Sequence, residues 1–339
     1  MFNEVSKALL SYQHIYHVGN HADVFKHLVL SCLLAKFKAK PKPFFALDTH
    51  AGQGVYQLSN LPANADIQAF QTLLSYWREA KIRPTGADGI DDYVSLIADF
   101  AEQGIYLGSC ALMNQLAREQ DSVHLNELSA NTFAILRRSI RQLIAQSNTT
   151  LPTPHFHQRD AFEILNALMP PKPNRGFVII DPPYEQALEY QDVSSSVQKA
   201  LLKWPNGCFV IWYPLLSPRR INRKTQALED NPKAGMADQM FKSFKQFLST
   251  QNADTSSRIN SAMLCAEFAV SDASDKLGMY GSGMCIINPP YQFEQSVKSV
   301  LALLSASLLE KKCEIHASAK HFKRDYTAGV SAQWYVVST

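Results

Sequence analysis

The chain contains no Cys-x-x-Cys pair. Its six cysteines, Cys32, Cys110, Cys208, Cys265, Cys285 and Cys313, are scattered from one end to the other. That pattern excludes a disulfide scaffold and a zinc ribbon. No apolar run is long enough to span a bilayer, and the opening residues MFNEVSKALL do not have the pattern of a signal peptide. Net charge is also scarce, with 33 Lys+Arg against 30 Asp+Glu, a balance of +3. Apolar material is plentiful: 46% of residues are hydrophobic and 19% charged, which excludes a disordered chain. A length of 339 residues allows one large α/β domain or two small ones. The expectation is a soluble protein of the reducing cytoplasm.

The small net charge is unevenly spread. Residues 1–43 carry Lys7, Lys26, Lys36, Lys38, Lys40 and Lys42 against Glu4 and Asp23, an excess of +4, which leaves the rest of the chain at −1. A lysine cluster of this kind reads either as a solvated helix end or as a phosphate-facing patch. Asn20-His-Ala-Asp23 resembles a capping box. Phe25, Leu28, Val29, Cys32 and Leu33 follow at helical spacing, and Pro41 and Pro43 end the helix. Short apolar runs then recur at 44–48, 123–128, 155–160, 177–181, 208–213, 263–270 and 284–288, with amphipathic stretches between most of them. Such alternation predicts a mostly parallel, doubly wound sheet. The last two runs are joined without a crossover helix, which predicts a hairpin and an antiparallel final strand. Residues 58–106 read as an inserted helical segment, and 218–260 as a polar insert that is partly loop, basic near Arg219, Arg220, Arg223 and Lys224.

The first strand ends in Asp48 and runs into THAGQG, an Asp-x-x-x-Gly52-x-Gly54 loop through which backbone can approach a ligand closely. A nicotinamide site would need a third glycine, but that position is Gln57. Glu127 closes the next strand, and a carboxylate there can accept both hydroxyls of a ribose. Gly108-Ser109 precedes CALMNQLAREQ. Ser109 reads as the N-cap of that helix, whose free N–H groups could meet a carboxylate. Asp160 ends the third strand, where it can take an adenine amine, cap the helix AFEILNALM, or do both.

The most specific signal is GFVII-Asp181-Pro182-Pro183-Tyr184. A buried β-branched strand runs directly into one carboxylate and two prolines, which remove two backbone N–H donors. What remains is an acceptor-only site suited to an NH2 group, with Tyr184 as a stacking surface for a base. MCII-Asn288-Pro-Pro-Tyr291 meets a looser version of the same pattern. Because Asn288 ends the last strand, after all the other elements, it reads as a structural turn.

The segments SYQHIYHVGNHADVFKHLVL, LDTHAGQGVYQL, LAREQD, LNEL, IIDPPYE, IWYP and SGMCIINPP together resemble the RlmJ family. These are class I, S-adenosylmethionine-dependent methyltransferases that modify the N6 of an adenine in 23S ribosomal RNA. The resemblance covers most of the chain. It implies a Rossmann-like, seven-stranded α/β sheet with an antiparallel last strand. Residues 1–57 and 107–339 would form the methyltransferase domain, and 58–106 a small helical subdomain. It also implies roles for individual residues. Lys26, His27, His50 and Ser109 would contact S-adenosylmethionine, Glu127 its ribose, and Asp160 with Ala161 its adenine. Asp181 would be catalytic, with Pro182 and Tyr184 completing the amine and base site. Tyr12 would touch the substrate adenosine. The implied partner is free or early-assembly 23S RNA, bound by a monomer without metal. His14, His17, His21, His27 and His50 have spacings that could ligate a metal, but no thiolate or carboxylate cluster accompanies them.

Four features depart from the family pattern. Ala161 stands where glycine is frequent and Cys110 where proline is usual, and the 218–260 insert and the KHFKR stretch near 320 are longer than the family's. The alternatives to RNA methylation are a DNA adenine methyltransferase, which would share the Asp-Pro-Pro-Tyr chemistry, and a non-catalytic RNA- or nucleotide-binding module.

Overall fold

A run such as Phe45–Asp48, buried at every position, needs cover on both faces of its sheet. The computed structural model describes residues 14–79, 89–222, 224–259, 261–274 and 277–309, and the backbone of 316–317 and 329–335. Its strands are β1 (Phe45–Asp48), β2 (Val55–Gln57), β3 (Ile105–Leu107), β4 (Ser122–Asn126), β5 (His155–His157), β6 (Gly176–Ile180), β7 (Cys208–Leu216), β8 (Arg219–Ile221), β9 (Leu228–Asp230), β10 (Met263–Ala269), β11 (Met279–Ile287), β12 (His316–Ala317) and β13 (Gly329–Tyr335). Its helices are α1 (His21–Lys38), α2 (Gln68–Glu79), α3 (Ile90–Glu102), α4 (Ser109–Leu116), α5 (Ala130–Ala145), α6 (Ala161–Ala167), α7 (Leu188–Lys203), α8 (Met236–Ala253) and α9 (Phe293–Leu308).

The seven strands anticipated from the sequence lie in the order β10-β11-β7-β6-β1-β4-β5. From β5 to β7 every neighbouring pair is parallel. β11 runs antiparallel to both β7 and β10. The chain order reverses at β1, between β4 and β6, where a doubly wound sheet leaves a crevice at its strand C-termini. The sheet does not stop at seven strands. β13 pairs antiparallel with β10, and β12 pairs with β13, covering an edge that would otherwise expose unpaired backbone groups.

Side chains alternate across the sheet. Ala46, Phe177 and Ile179 face the layer that holds α1, α4, α5 and α9. Phe45, Leu47, Val178 and Ile180 face the layer of α6, α7 and α8. α1 is buried on almost every side, because α2 and α3 of the 58–106 segment lie over it and the sheet lies beneath it. Its cap agrees with the sequence in part. Asn20 Oδ1 accepts from the N–H groups of Ala22 and Asp23, each at 3.0 Å. The Asp23 carboxylate, however, reaches back to Gly19 N at 3.1 Å and not to the Asn20 N–H that a reciprocal box would use. No helix among the described residues is long and apolar enough to cross a membrane.

Candidate active site

The C-terminal ends of β1, β4, β5 and β6 converge on one edge of the sheet. Asp48, Glu127, Asp160 and Asp181 all fall there, each at or just beyond a strand end. Asp48 is 1% exposed. Its carboxylate accepts from Ser109 Oγ at 2.6 Å and from His50 N at 3.0 Å. Burial outweighs these bonds and pushes its pKa up to about 6. Ser109 is the first residue of α4, and the N-cap is Gly108, which makes no side-chain cap bond. The sequence expectation of Ser109 as N-cap is thereby corrected: with a buried carboxylate within reach, its hydroxyl donates to Asp48 instead.

Glu127 joins three elements. Oε2 accepts from Gly52 N at 3.1 Å and Oε1 from Ser129 N, at the start of α5, at 2.8 Å. Burial raises its pKa, and the backbone N–H groups work against that rise. Gly52 and Gly54 have φ of 60° and 77°. A Cβ on Gly54 would come within 3.0 Å of Leu136 and 3.1 Å of Ile140, so this loop closes tightly over α5 only with glycine. Asn126, fully buried, clamps the same region. Its Nδ2 donates to Thr49 O and Arg159 O, each at 3.0 Å, and its Oδ1 accepts from Arg159 N at 3.2 Å. Asp160 caps α6, with Oδ1 accepting from Phe162 N at 2.8 Å and Glu163 N at 3.1 Å. Ala161 is the first residue of that helix.

The Asp181 end of the site is charged. Lys26, 4% exposed, crosses from α1 and places Nζ 2.5 Å from Asp181 Oδ2 and 2.9 Å from Asp23 Oδ1. Burial alone would lower its pKa, but the two carboxylates hold it well above the usual lysine range. Asp23 also takes His14 Nε2 at 3.1 Å and the Tyr106 hydroxyl at 3.2 Å. Burial alone would raise the Asp23 carboxyl, yet His14 and Lys26 keep it well below its ordinary value.

His27 lies next along α1, 1% exposed, between the rings of Tyr93 and Tyr106. Burial drops its pKa to about 3. His50 joins the two ends of the site: its Nδ1 accepts from Asp181 N at 3.4 Å, and burial drops its pKa to about 4.

Tyr184 adopts φ of 47°. Its ring packs 4.2 Å from Tyr190 and 6.0 Å from Trp212, and it is 1% exposed. The ring is covered by these neighbours. The other Asx-Pro-Pro sequence lies at the opposite end of the sheet, because β11 is antiparallel. Asn288 donates to Pro205 O at 2.8 Å and Gly207 O at 2.9 Å, pinning the turn before β7.

A family model described as ribosomal RNA large subunit methyltransferase D, RlmJ, matches residues 41–238 and 236–320. The chain belongs to the RlmJ family. It is 33% identical to ribosomal RNA large subunit methyltransferase J of Escherichia coli K12 over 304 residues, 89% of this chain and 95% of that protein. It is 32% identical to the Haemophilus influenzae protein of the same name over 305 residues, again 89% and 95%. The crystal structure of a Legionella pneumophila (Philadelphia 1) protein superposes with a TM-score of 0.68 at 25% identity, covering 94% of this chain and 98% of that one.

Within this RlmJ-family chain the structure brings Lys26, His50, Ser109, Glu127, Asp160, Ala161 and Asp181 to one crevice. His27 points into the layer between α1, α3 and β3. Tyr12 lies outside the described residues. Two further side chains shape the crevice. Asn126 could have been found as a polar residue closing an apolar strand beside Glu127. Asp23 appears in the sequence as part of a cap, and its place beside Lys26 and His14 shows only in the fold. Trp212, in the IWYP segment, has a buried indole N–H without a hydrogen-bond partner among the described residues.

Proposed function

We propose that this methyltransferase moves a methyl group from S-adenosylmethionine to the N6 amine of an adenine in 23S ribosomal RNA. One observation carries the reading: a carboxylate at the end of β6, 18% exposed in its side chain, followed by two prolines and tied through His50 to the loop after β1. The residues present fit the cofactor. The Glu127 carboxylate has about four acceptor positions, of which the two backbone N–H groups take one on each oxygen, so lone pairs remain for a ribose diol. Asp160 spends Oδ1 on its helix cap and keeps Oδ2 for an adenine amine. When bound, the cofactor supplies a methyl group on an electron-poor sulfur.

The chain's own residues prepare the nucleophile. The lone pair of an adenine N6 is delocalised into the ring. Asp181, with the Pro182 carbonyl beside it, accepts the two amine hydrogens, which shifts density onto nitrogen and favours the pyramidal shape needed for attack. Asp181 is an orienting group more than a strong base, because the methylated ammonium sheds its proton readily. To enter, the target base must leave its stack, as enzymes acting on base atoms require. The helices of 58–106, packed over α1, act as a cap on the crevice. The test is transfer of labelled methyl to protein-free 23S RNA, with mass mapping of the modified nucleoside. N6-methyladenosine in RNA from the wild-type protein and none from Asp181→Ala is expected. Full activity of Asp181→Ala, or transfer to duplex DNA and not to RNA, sinks the reading.

A further inference from the structure

The 218–260 insert leaves the sheet at the C-terminal end of β7, on the same edge as Asp181. It folds first into the β8–β9 hairpin and then into the turn 231–235 that leads into α8. Asn231, 7% exposed, fixes that turn. Its Nδ2 donates to Ser217 O at 3.0 Å and its backbone N to Pro218 O at 2.7 Å, while its Oδ1 accepts from Lys233 N at 3.2 Å. With its backbone held this way, Lys233 points its side chain inward. Its Nζ donates to the main-chain carbonyl of Tyr184 at 2.7 Å.

That carbonyl belongs to a residue that needs holding. Tyr184 has φ of 47°, a left-handed conformation disfavoured for a bulky L-residue, which persists only where the surroundings over-determine it. Tyr190 and Trp212 hold the ring, the Tyr184 hydroxyl reaches Met240 Sδ, and Lys233 holds the backbone. The next helix adds to the same anchorage. Glu189 accepts from Gln186 N at 3.1 Å; burial raises its pKa, and the Gln186 N–H and, more weakly, the charge of Lys233 work against that rise.

We propose that Lys233 is a positioning residue for methyl transfer. It acts through Tyr184, fixing the short loop on which Asp181 and Pro182 must meet the amine. An ammonium aimed at a buried carbonyl serves the geometry of the reacting loop, whereas a lysine for RNA would face outward to phosphate. The inference rests on the function proposed above.

The test compares wild type, Lys233→Met and Lys233→Arg for methyl transfer to 23S RNA, with melting temperature measured on each. Loss of a hydrogen bond from a charged donor predicts a kcat for Lys233→Met lower by about tenfold or more. KM for RNA and cofactor affinity should stay within about twofold of wild type, because uniform binding is untouched. Lys233→Arg should recover most of the loss. Lys233→Leu, which also removes the donor, replaces Lys233→Met under the same thresholds if the latter melts below the assay temperature. Three results overturn the inference: wild-type kcat in Lys233→Met, a raised KM for RNA at unchanged kcat (which would make Lys233 an RNA contact), or no recovery in Lys233→Arg. A wild-type protein that methylates no RNA overturns the proposed function itself, and is distinguished by failing before any variant is compared.

Discussion

The two ends of the crevice are built differently. Around Glu127 and Asn126, side chains of one strand end tie down backbone N–H and C=O groups of the neighbouring loops, so the scaffold consists of hydrogen bonds between adjacent parallel strands. Around Asp181, the loop is held by cations brought from far along the chain, Lys26 from α1 and Lys233 from the insert, and one of its residues sits in a disfavoured conformation. The first arrangement suits a pocket that binds one ligand in a fixed pose. The second suits a loop that must present a carboxylate to an incoming base while Lys26 already occupies it. On the proposed function, the base has to compete with, or displace, an ammonium that Asp23 stands ready to keep.

The largest effect should separate the two ends outright. Asp181→Ala removes the amine acceptor and should lower kcat by about a thousandfold, similar to loss of a preorganised charge-stabilising group, while cofactor affinity measured by calorimetry stays within about twofold. If cofactor affinity falls in parallel, the two ends are one unit and the comparison fails. Lys26→Met is next. It leaves Asp23 and Asp181 facing each other without their shared cation, an uncompensated buried charge that typically costs about 3 kcal/mol. Asp23 keeps His14, Tyr106 and Gly19 N as donors, so the protein should fold but unfold at lower denaturant. An unchanged denaturation midpoint would show that the ion pair adds nothing to stability. Glu127→Gln acts on the other end. It replaces an acceptor of two backbone N–H groups with a neutral amide that can satisfy only one, and should weaken cofactor binding by about 2 kcal/mol, near thirtyfold, with kcat at saturating cofactor little altered. A kcat effect larger than the binding effect would contradict a purely binding role.

The same contrast explains what the sequence disclosed. Asp48, Glu127, Asp160 and Asp181 were legible because a polar residue ending an apolar run is a local pattern, and in a parallel sheet every such end falls on one edge. The antiparallel β11 was legible from a connection too short for a crossover, and it explains why Asn288-Pro-Pro is remote from the chemistry. The links that organise the Asp181 end were not legible. Lys26 and Asp181 are 155 positions apart, and no periodicity reports a through-space pair of that kind. Ser109 reads as a cap in sequence because the acceptor that draws its hydroxyl, Asp48, comes from β1. The extension of the sheet by β13 was hidden for the same reason: it answers an open edge of β10 that exists only once the sheet has formed.

His50 marks where the two ends meet, and it supports the smallest prediction. Burial holds its folded-state pKa at about 4, below the value near 6.5 expected of an unfolded histidine. Between those values the unfolded chain binds a proton that the folded chain refuses. The stability that His50 contributes is therefore complete above pH 6.5 and is lost as pH falls toward 4. At pH 5.5 the loss is one pH unit's worth, trimmed to about 1 kcal/mol because the ring keeps some contact with solvent. Asp48 works in the opposite direction. Its pKa, raised to about 6, makes the folded state gain stability as pH falls through the same range, while His27, held at about 3, loses it as His50 does, so the wild-type curve alone mixes several groups. The difference between wild type and His50→Gln isolates the histidine. Wild type should lose about 1 kcal/mol more than the variant between pH 7 and 5.5 in denaturant melts. The folded protein keeps His50 neutral over this interval, so methyl transfer per folded molecule should change in parallel in wild type and His50→Gln; protonation removes the acceptor of the Asp181 N–H only as pH falls toward 4. Parallel denaturant curves for the two proteins would mean that burial does not keep His50 neutral in the folded protein.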